Sequence, residues 1–232
     1  MGTASARHRP PGRPRHADLR IPTADQIVHA AGELFMELGY RAVTMEMVAD
    51  RAGVTKAAVY YHFADKAALL SDALVALLAR VRATAEEILR GDGSLESRLV
   101  ALAEAVLRLP EPLTRVEIVL RVAREDLSPD QVRAIVEASD AVGAAVVEAM
   151  REGVRRGEVR QVDPVLLGHV FTDLLRVGHA RSADGSLLFP DPQAAARSFV
   201  DMLWNGVAGG LPSPTAGPAT PALGSRRTAP AG

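Results

Sequence analysis

The sequence contains no cysteine, and aromatic residues make up only 4% of its 232 residues. The missing cysteines exclude a disulfide framework and a thiolate metal site. Because hydrophobic residues nevertheless make up 48% of the chain, a sizeable core must be built from alanine, leucine and valine. That composition favours helices over sheets, so we predict an all-α protein.

Long apolar runs are also missing. The longest, such as residues 73–79, are far too short to span a bilayer. The arginine-rich N-terminus is not followed by the apolar segment of a secretory signal. We therefore expect a cytoplasmic chain that has no membrane partner.

The motifs that would indicate an enzyme are absent as well. There is no HExxH, no GxSxG and no P-loop, and the Gly-Asp-Gly at residues 91–93 reads as a helix stop. None of the six histidines pairs with another on one helix face. His169 and Asp173 lie four residues apart, but no nucleophile accompanies them. The sequence predicts no enzymatic activity, no metal site and no cofactor.

Positive charge is concentrated in two places, although the formal net charge is only −1. Residues 1–20 carry five arginines against one aspartate, and residues 51–66 carry three cations against one aspartate. Such clustering is typical of a nucleic-acid partner, because the phosphate backbone attracts cations on one surface.

Residues 44–66 predict two short helices joined by a tight turn. Small Ala49 lets the helices approach, Gly53 can adopt the positive φ of the turn, and Val59 packs back onto the first helix. Thr44 and Thr55 each stand where a helix N-cap is wanted. This spacing is typical of a DNA-reading helix-turn-helix.

The second of these helices, from Thr55 to about His62, begins with small or polar residues and ends with long hydrogen-bonding ones. That order suits a helix that enters the major groove by its N-terminus. The alternative is an ordinary helical hairpin in which Tyr60 and Tyr61 are core aromatics.

The stretch around this motif resembles the DNA-binding region of TetR-type transcriptional repressors. The segment that carries the resemblance is GYRAVTMEMVADRAGVTKAAVYYHFADKAALL, in which the helix-turn-helix spacing, YYHF and the following Lys66 fall in one register. The match covers roughly Thr23–Leu74. It implies a three-helix DNA-binding domain at residues 23–66 and a larger helical regulatory and dimerisation domain at residues 67–209.

The resemblance also implies a function, that of a ligand-responsive dimeric repressor on a palindromic operator in double-stranded DNA. The alternative is a helical adaptor or ligand-binding protein with no DNA-binding role. Base edges would be met by Lys56, Ala57 and Tyr60. Phosphate contacts would come from Thr44, Thr55, Tyr61, His62 and Lys66. Ala58 departs from family members that carry threonine there.

Residues 1–22 are expected to be a disordered basic arm, and residues 210–232 a disordered tail. The Gly-Arg-Pro core of Pro11–Arg15 is like that of AT-hooks, so Arg13 and Arg15 could enter a narrow minor groove. A solvated leader of low complexity is an equal alternative.

The remaining chain reads as helices throughout, with the first from Thr23 to Leu38. Helices 164–181 and 192–207 carry more apolar surface than one intramolecular face needs. We infer a homodimer that pairs these two helices with their mates, the alternative being core helices of a monomer. The other helices are expected at residues 66–90, Ser94–Leu109, Leu113–Asp126 and 128–156.

A pocket for a small-molecule effector is implied by the resemblance alone. Its expected walls are the helix that starts at residue 66 and the three helices after it. The polar groups chosen as ligand contacts are Glu117, Arg121, His169 and Asp173.

Overall fold

The structure, a computed structural model, describes residues 24–109 and 113–207. Within those residues the chain forms helices and no strand, apart from one isolated bridge between Arg181 and Leu187. The predicted arm and tail, together with Arg13, Arg15 and Thr23, lie outside the described residues. The helices are α1 (Ala24–Leu38), α2 (Met45–Ala52), α3 (Lys56–His62), α4 (Lys66–Arg90), α5 (Leu95–Leu107), α6 (Thr114–Ala123), α7 (Pro129–Arg156), α8 (Pro164–Gly178) and α9 (Pro192–Val207).

Most helices begin next to a side chain that accepts a hydrogen bond from a backbone amide of the first turn. Asp65 accepts from the amide of Ala68 at 2.7 Å, which starts α4 at the predicted residue. Ser128 and Gln131 form the reciprocal capping box that precedes α7, with Pro129 in the first turn. The predicted starts of α4, α7 and α9 are confirmed. They were predictable because a helix cap depends only on residues within one turn of it.

Three predicted helix ends were wrong. The helix α5 stops at Leu107, and α6 stops at Ala123. The helix α8 ends at Gly178 and not at Arg181, because Arg181 pairs with Leu187 across a tight turn. In that turn Gly185 has φ +85°, a conformation that a side chain disfavours.

Two hydrophobic clusters organise the fold. The first joins α1–α3 to the first half of α4 and includes the fully buried Phe35, Val48 and Leu70. It also takes in Val116 and Ile135 from α6 and α7. The reading head, which we define as α1–α3, therefore shares a core with the helices beyond it.

The second cluster joins the end of α4 to α5, α7, α8 and α9. Its fully buried members include Leu95, Leu99, Phe171 and Val200. We call α5–α9 the body. Since α4 contributes to both clusters, it connects the reading head to the body as one continuous helix. No helix among the described residues is long and apolar enough to cross a membrane.

Candidate nucleic-acid interface and effector cleft

The helix-turn-helix has the local geometry that the sequence predicts. The Thr44 hydroxyl accepts from the amide of Met47, and the Thr55 hydroxyl accepts from the amide of Ala58, both at 3.2 Å. Gly53 has φ +68° at the turn between α2 and α3. These contacts set the starts of α2 and α3, and Gly53 makes the turn between them.

The helix α3 buries Val59 completely and exposes the residues predicted to contact DNA. The Tyr60 residue is 48% exposed and Tyr61 is 84% exposed. The alternative in which these tyrosines are core aromatics is therefore wrong. The other exposed members of the predicted set are Thr44, Thr55, Lys56, Ala57 and His62.

Lys56 is held by an acid that the sequence did not single out. Its ammonium pairs with the Glu46 carboxylate from α2 and lies 6.0 Å from the centroid of the Tyr60 ring. The hydrogen bond to Glu46 raises the pKa of Lys56 above its ordinary value. Both partners stand on the surface, next to the residues predicted to face bases.

Lys66 is half-buried, unlike the rest of the predicted DNA-contact residues in the described part of the chain. Its ammonium donates to the carbonyl oxygens of Tyr40 and Val43 at 3.1 and 3.2 Å. The phosphate contact predicted for Lys66 stays a prediction, and it competes with these two backbone contacts.

The helices α1 and α2 are braced by a cluster of charges that the sequence did not reveal. Arg51 on α2 contacts Glu37 at 3.0 Å and Glu33 at 3.3 Å, both on α1. The hydrogen bond from Arg51 lowers the pKa of Glu37 below its ordinary value. The cation at residue 51 was counted as DNA-facing charge, but the structure places it between two acids.

Two contacts tie the reading head to α6 and its C-terminal end. Arg115 on α6 donates to the carbonyl oxygen of Glu37, near the end of α1, at 2.7 Å. Tyr40 is buried, and its hydroxyl is hydrogen-bonded to the Asp126 carboxylate. A movement of α6 would therefore reach the head directly, as well as through α4.

A cleft of about 1330 Å³ lies between α4 and the body helices α5, α6, α7 and α8. It is larger than the roughly 300–1,000 Å³ of a typical small-molecule site, so it has room for a large ligand. Of the four predicted ligand contacts, Glu117 and His169 line it, whereas Arg121 and Asp173 do not. Asp173 is instead 75% exposed and pairs with Arg176 on its own helix.

Sequence reasoning missed most of the polar cleft residues, among them Arg176 and His179. Arg176 on α8 lines the cleft and reaches Glu117 on α6 at 2.7 Å, which joins two walls. His179 also lines it, with Nδ1 3.3 Å from the Leu175 carbonyl oxygen. Among the described residues no phenylalanine, tyrosine or tryptophan lines the cleft, so its apolar surface is aliphatic. No group of residues in the described ranges could hold a metal ion.

The helix α8 exposes an apolar stripe on the side of the body. Leu166, Val170 and Val177 are spaced along one face, and Met202 is exposed on α9. These are the two helices that the sequence predicts for dimerisation.

An exposed reading helix on a three-helix head, joined to a helical body with a cleft, defines a helix-turn-helix transcriptional regulator. The profile of the family described as "Bacterial regulatory proteins, tetR family" matches residues 27–73. The HTH-type transcriptional repressor Rv1474c of Mycobacterium tuberculosis is 31% identical over 78% of this chain and 91% of its own length. The chain belongs to the TetR family; it is a DNA-binding regulator and not an enzyme.

Two further similarities bear on this assignment. The HTH-type transcriptional activator FasR of Mycolicibacterium smegmatis is 35% identical over 42% of this chain, an alignment that spans 45% of FasR itself. The crystal structure of FadR from Bacillus subtilis in complex with stearoyl-CoA has a TM-score of 0.60 at 18% identity. It covers 79% of this chain and 99% of FadR, and it supports the fold.

Proposed function

We propose that this protein is a dimeric, effector-controlled repressor that reads a palindromic operator with α3. The observation that carries the proposal is the exposure of Tyr60 and Tyr61 on a short helix whose inner face is fully buried at Val59. Folding gives these large side chains no partner in the core, which is what a surface that meets a duplex requires. The proposed function places the protein in the cytoplasm, where its DNA would lie.

Dimerisation supplies the operator symmetry in this proposal. One recognition helix discriminates too little, whereas two copies placed about 34–36 Å apart read half-sites one helical turn apart. The exposed stripe of Leu166, Val170 and Val177 on α8, with Met202 on α9, supports pairing through these helices. The division into a DNA-binding part at residues 23–66 and a regulatory part at residues 67–209 belongs to the same proposal.

The effector is proposed to be a molecule with an aliphatic portion. The cleft offers leucine, valine and alanine side chains without a flat aromatic platform, and its charged groups include the joined pair Glu117 and Arg176. The stearoyl-CoA carried by FadR is a molecule of this kind. Repression, rather than activation, is proposed from the similarity to Rv1474c over most of both chains.

Footprinting on DNA that flanks the protein's own coding region tests the proposal. We expect a protected palindrome whose half-sites are one helical turn apart. Tyr60→Ala should weaken binding to that site roughly tenfold or more while the unfolding transition stays in place. Val136→Ala, which truncates an exposed residue of α7, serves as the control and should change neither quantity.

The alternative of a helical adaptor or ligand-binding protein makes the opposite prediction. It requires that the folded wild-type protein protect no DNA and bind no duplex above the level of an unrelated helical protein.

A further inference from the structure

Glu46 is an acidic residue that contacts the predicted reading surface through Lys56. It lies in the first turn of α2, and its carboxylate crosses to the ammonium of Lys56 at the first position of α3. The two side chains are 63% and 51% exposed, so neither is buried by the pairing. The centroid of the Tyr60 ring lies 6.0 Å from the same ammonium.

We propose that Glu46 is a specificity-determining residue, which keeps Lys56 from contacting duplexes that offer it no matching base. The inference rests on the proposed DNA-binding function. It gives a role in that function to Glu46, whose negative charge could not bind a phosphate. Glu46 acts by competing for Lys56 and by positioning it beside Tyr60.

The competition follows from the charges. A lysine that neutralises a phosphate releases a counterion and adds affinity for every sequence. While Lys56 is paired with Glu46, that contribution is reduced, and the carboxylate itself repels nearby phosphates. The pairing therefore lowers affinity for duplexes of arbitrary sequence.

The correct operator offsets this penalty by placing two acceptors of one base within reach of Lys56. The O6 and N7 atoms of guanine present two acceptors at the floor of the major groove, where a lysine ammonium can leave the carboxylate and bind them. Because the exposed ion pair with Glu46 is weak, Lys56 can leave it at the right base, whereas elsewhere no matching acceptor compensates for its loss. Specificity is a difference between affinities, and a group that penalises the wrong partner increases it.

The test is Glu46→Gln in the full chain, with Asp50→Asn as the matched control. Asp50 is an exposed acid on the same helix, and its carboxylate contacts no cation among the described residues. Binding is measured against a random-sequence duplex and against the footprinted operator across a range of salt concentrations. For the random duplex, Glu46→Gln should raise affinity severalfold and steepen the slope of log K against log salt by about 0.9.

A double variant assigns the gain to Lys56. Glu46→Gln with Lys56→Gln should return the random-duplex slope to the wild-type value, whereas Lys56→Gln alone should not steepen that slope. The operator-to-random affinity ratio should fall severalfold in Glu46→Gln and hold in Asp50→Asn.

Equal effects of Glu46→Gln and Asp50→Asn on both duplexes would overturn the inference, since they would show a general charge effect. A gain that survives in the double variant would overturn it too. A wild-type protein that binds neither duplex would instead overturn the proposed function, so the two failures are distinguishable.

Discussion

The Lys66 ammonium lies 4.3 Å from the centroid of the Tyr40 ring while it donates to the backbone carbonyl oxygen of the same residue at 3.1 Å. The start of α4 thereby fastens the segment that connects α1 to α2. Lys66→Ala should lower the free energy of unfolding by about 1–3 kcal/mol, because hydrogen bonds from a charged donor are lost. Denaturant titration measures the change, and Arg90→Ala, at the exposed end of the same helix, is the control.

The same variant decides between the two roles of Lys66. If the ammonium stays on the carbonyl oxygens in the complex, the salt dependence of DNA binding should keep its wild-type slope. A slope that flattens by about one unit would place Lys66 on a phosphate, as the family resemblance implies.

Tyr40 makes stability sensitive to alkaline pH. Burial raises the pKa of its phenol well above the ordinary value, and the hydrogen bond to Asp126 raises it further. Below about pH 10 the phenol is neutral in both the folded and the unfolded chain, and its contribution to stability is complete. As pH rises above that value, only the unfolded chain ionises, so stability falls.

Tyr40→Phe separates this effect from packing. The variant should lose about 1 kcal/mol near neutral pH, because the bond to Asp126 is gone. It should then lose less stability than the wild type as the pH is raised, when both are followed by denaturant unfolding. An equally steep alkaline decline in both proteins would show that Tyr40 is not its source.

Position 53 needs a left-handed backbone conformation, but it has room for a side chain. Its φ is +68°, and a Cβ built there meets no atom within 4 Å. Gly53→Ala should therefore cost about 1–2 kcal/mol, the price of the left-handed conformation alone. Gly143→Ala in α7 is the matched control, since a Cβ there also meets nothing and the backbone is helical. The control should be neutral or stabilising by up to about 1 kcal/mol.

The exposed stripe on α8 predicts the outcome of placing a charge within it. Leu166→Glu should raise the dimer dissociation constant at least about tenfold, because a carboxylate would be buried between the two copies. Sedimentation measures the change, and operator affinity should fall with it. Val136→Glu, a similar change at an exposed residue of α7, should leave the association state as it is. A Leu166→Glu protein that associates like the wild type would remove α8 from the interface.

Local features of the fold were predictable because their causes lie within a few residues of one another. The hydroxyls of Thr44 and Thr55 cap the helices that follow them, and Gly53 makes the turn, whatever the rest of the chain does. The capping box at Ser128 likewise fixed the start of α7. The predicted end of α8 was wrong, because Arg181 pairs with Leu187 beyond the helix and the helical pattern of α8 does not reveal that contact.

Contacts between separate helices were not predictable from the pattern. Arg115 and the carbonyl of Glu37 are 78 residues apart, and they meet because α6 packs against the end of α1. The pairing of Glu46 with Lys56 requires the angle between α2 and α3, which no periodicity in either helix encodes. For the same reason the sequence offered Arg121 as a ligand contact, although Arg121 does not line the cleft and Arg176, which was not chosen, does.

The hydrophobic cluster that unites the reading head with Val116 and Ile135 limits how such a regulator can be rebuilt. A chimera that grafts α1–α3 onto a foreign sensor would separate Phe35 from the cluster residues of α4 such as Leu70, and Arg115 would no longer meet Glu37. Successful transplantation would have to carry the facing surfaces of α4 and α6 along with the DNA-reading segment. New operator preferences are therefore reached more readily by altering residues on the outer side of α3 than by exchanging whole modules.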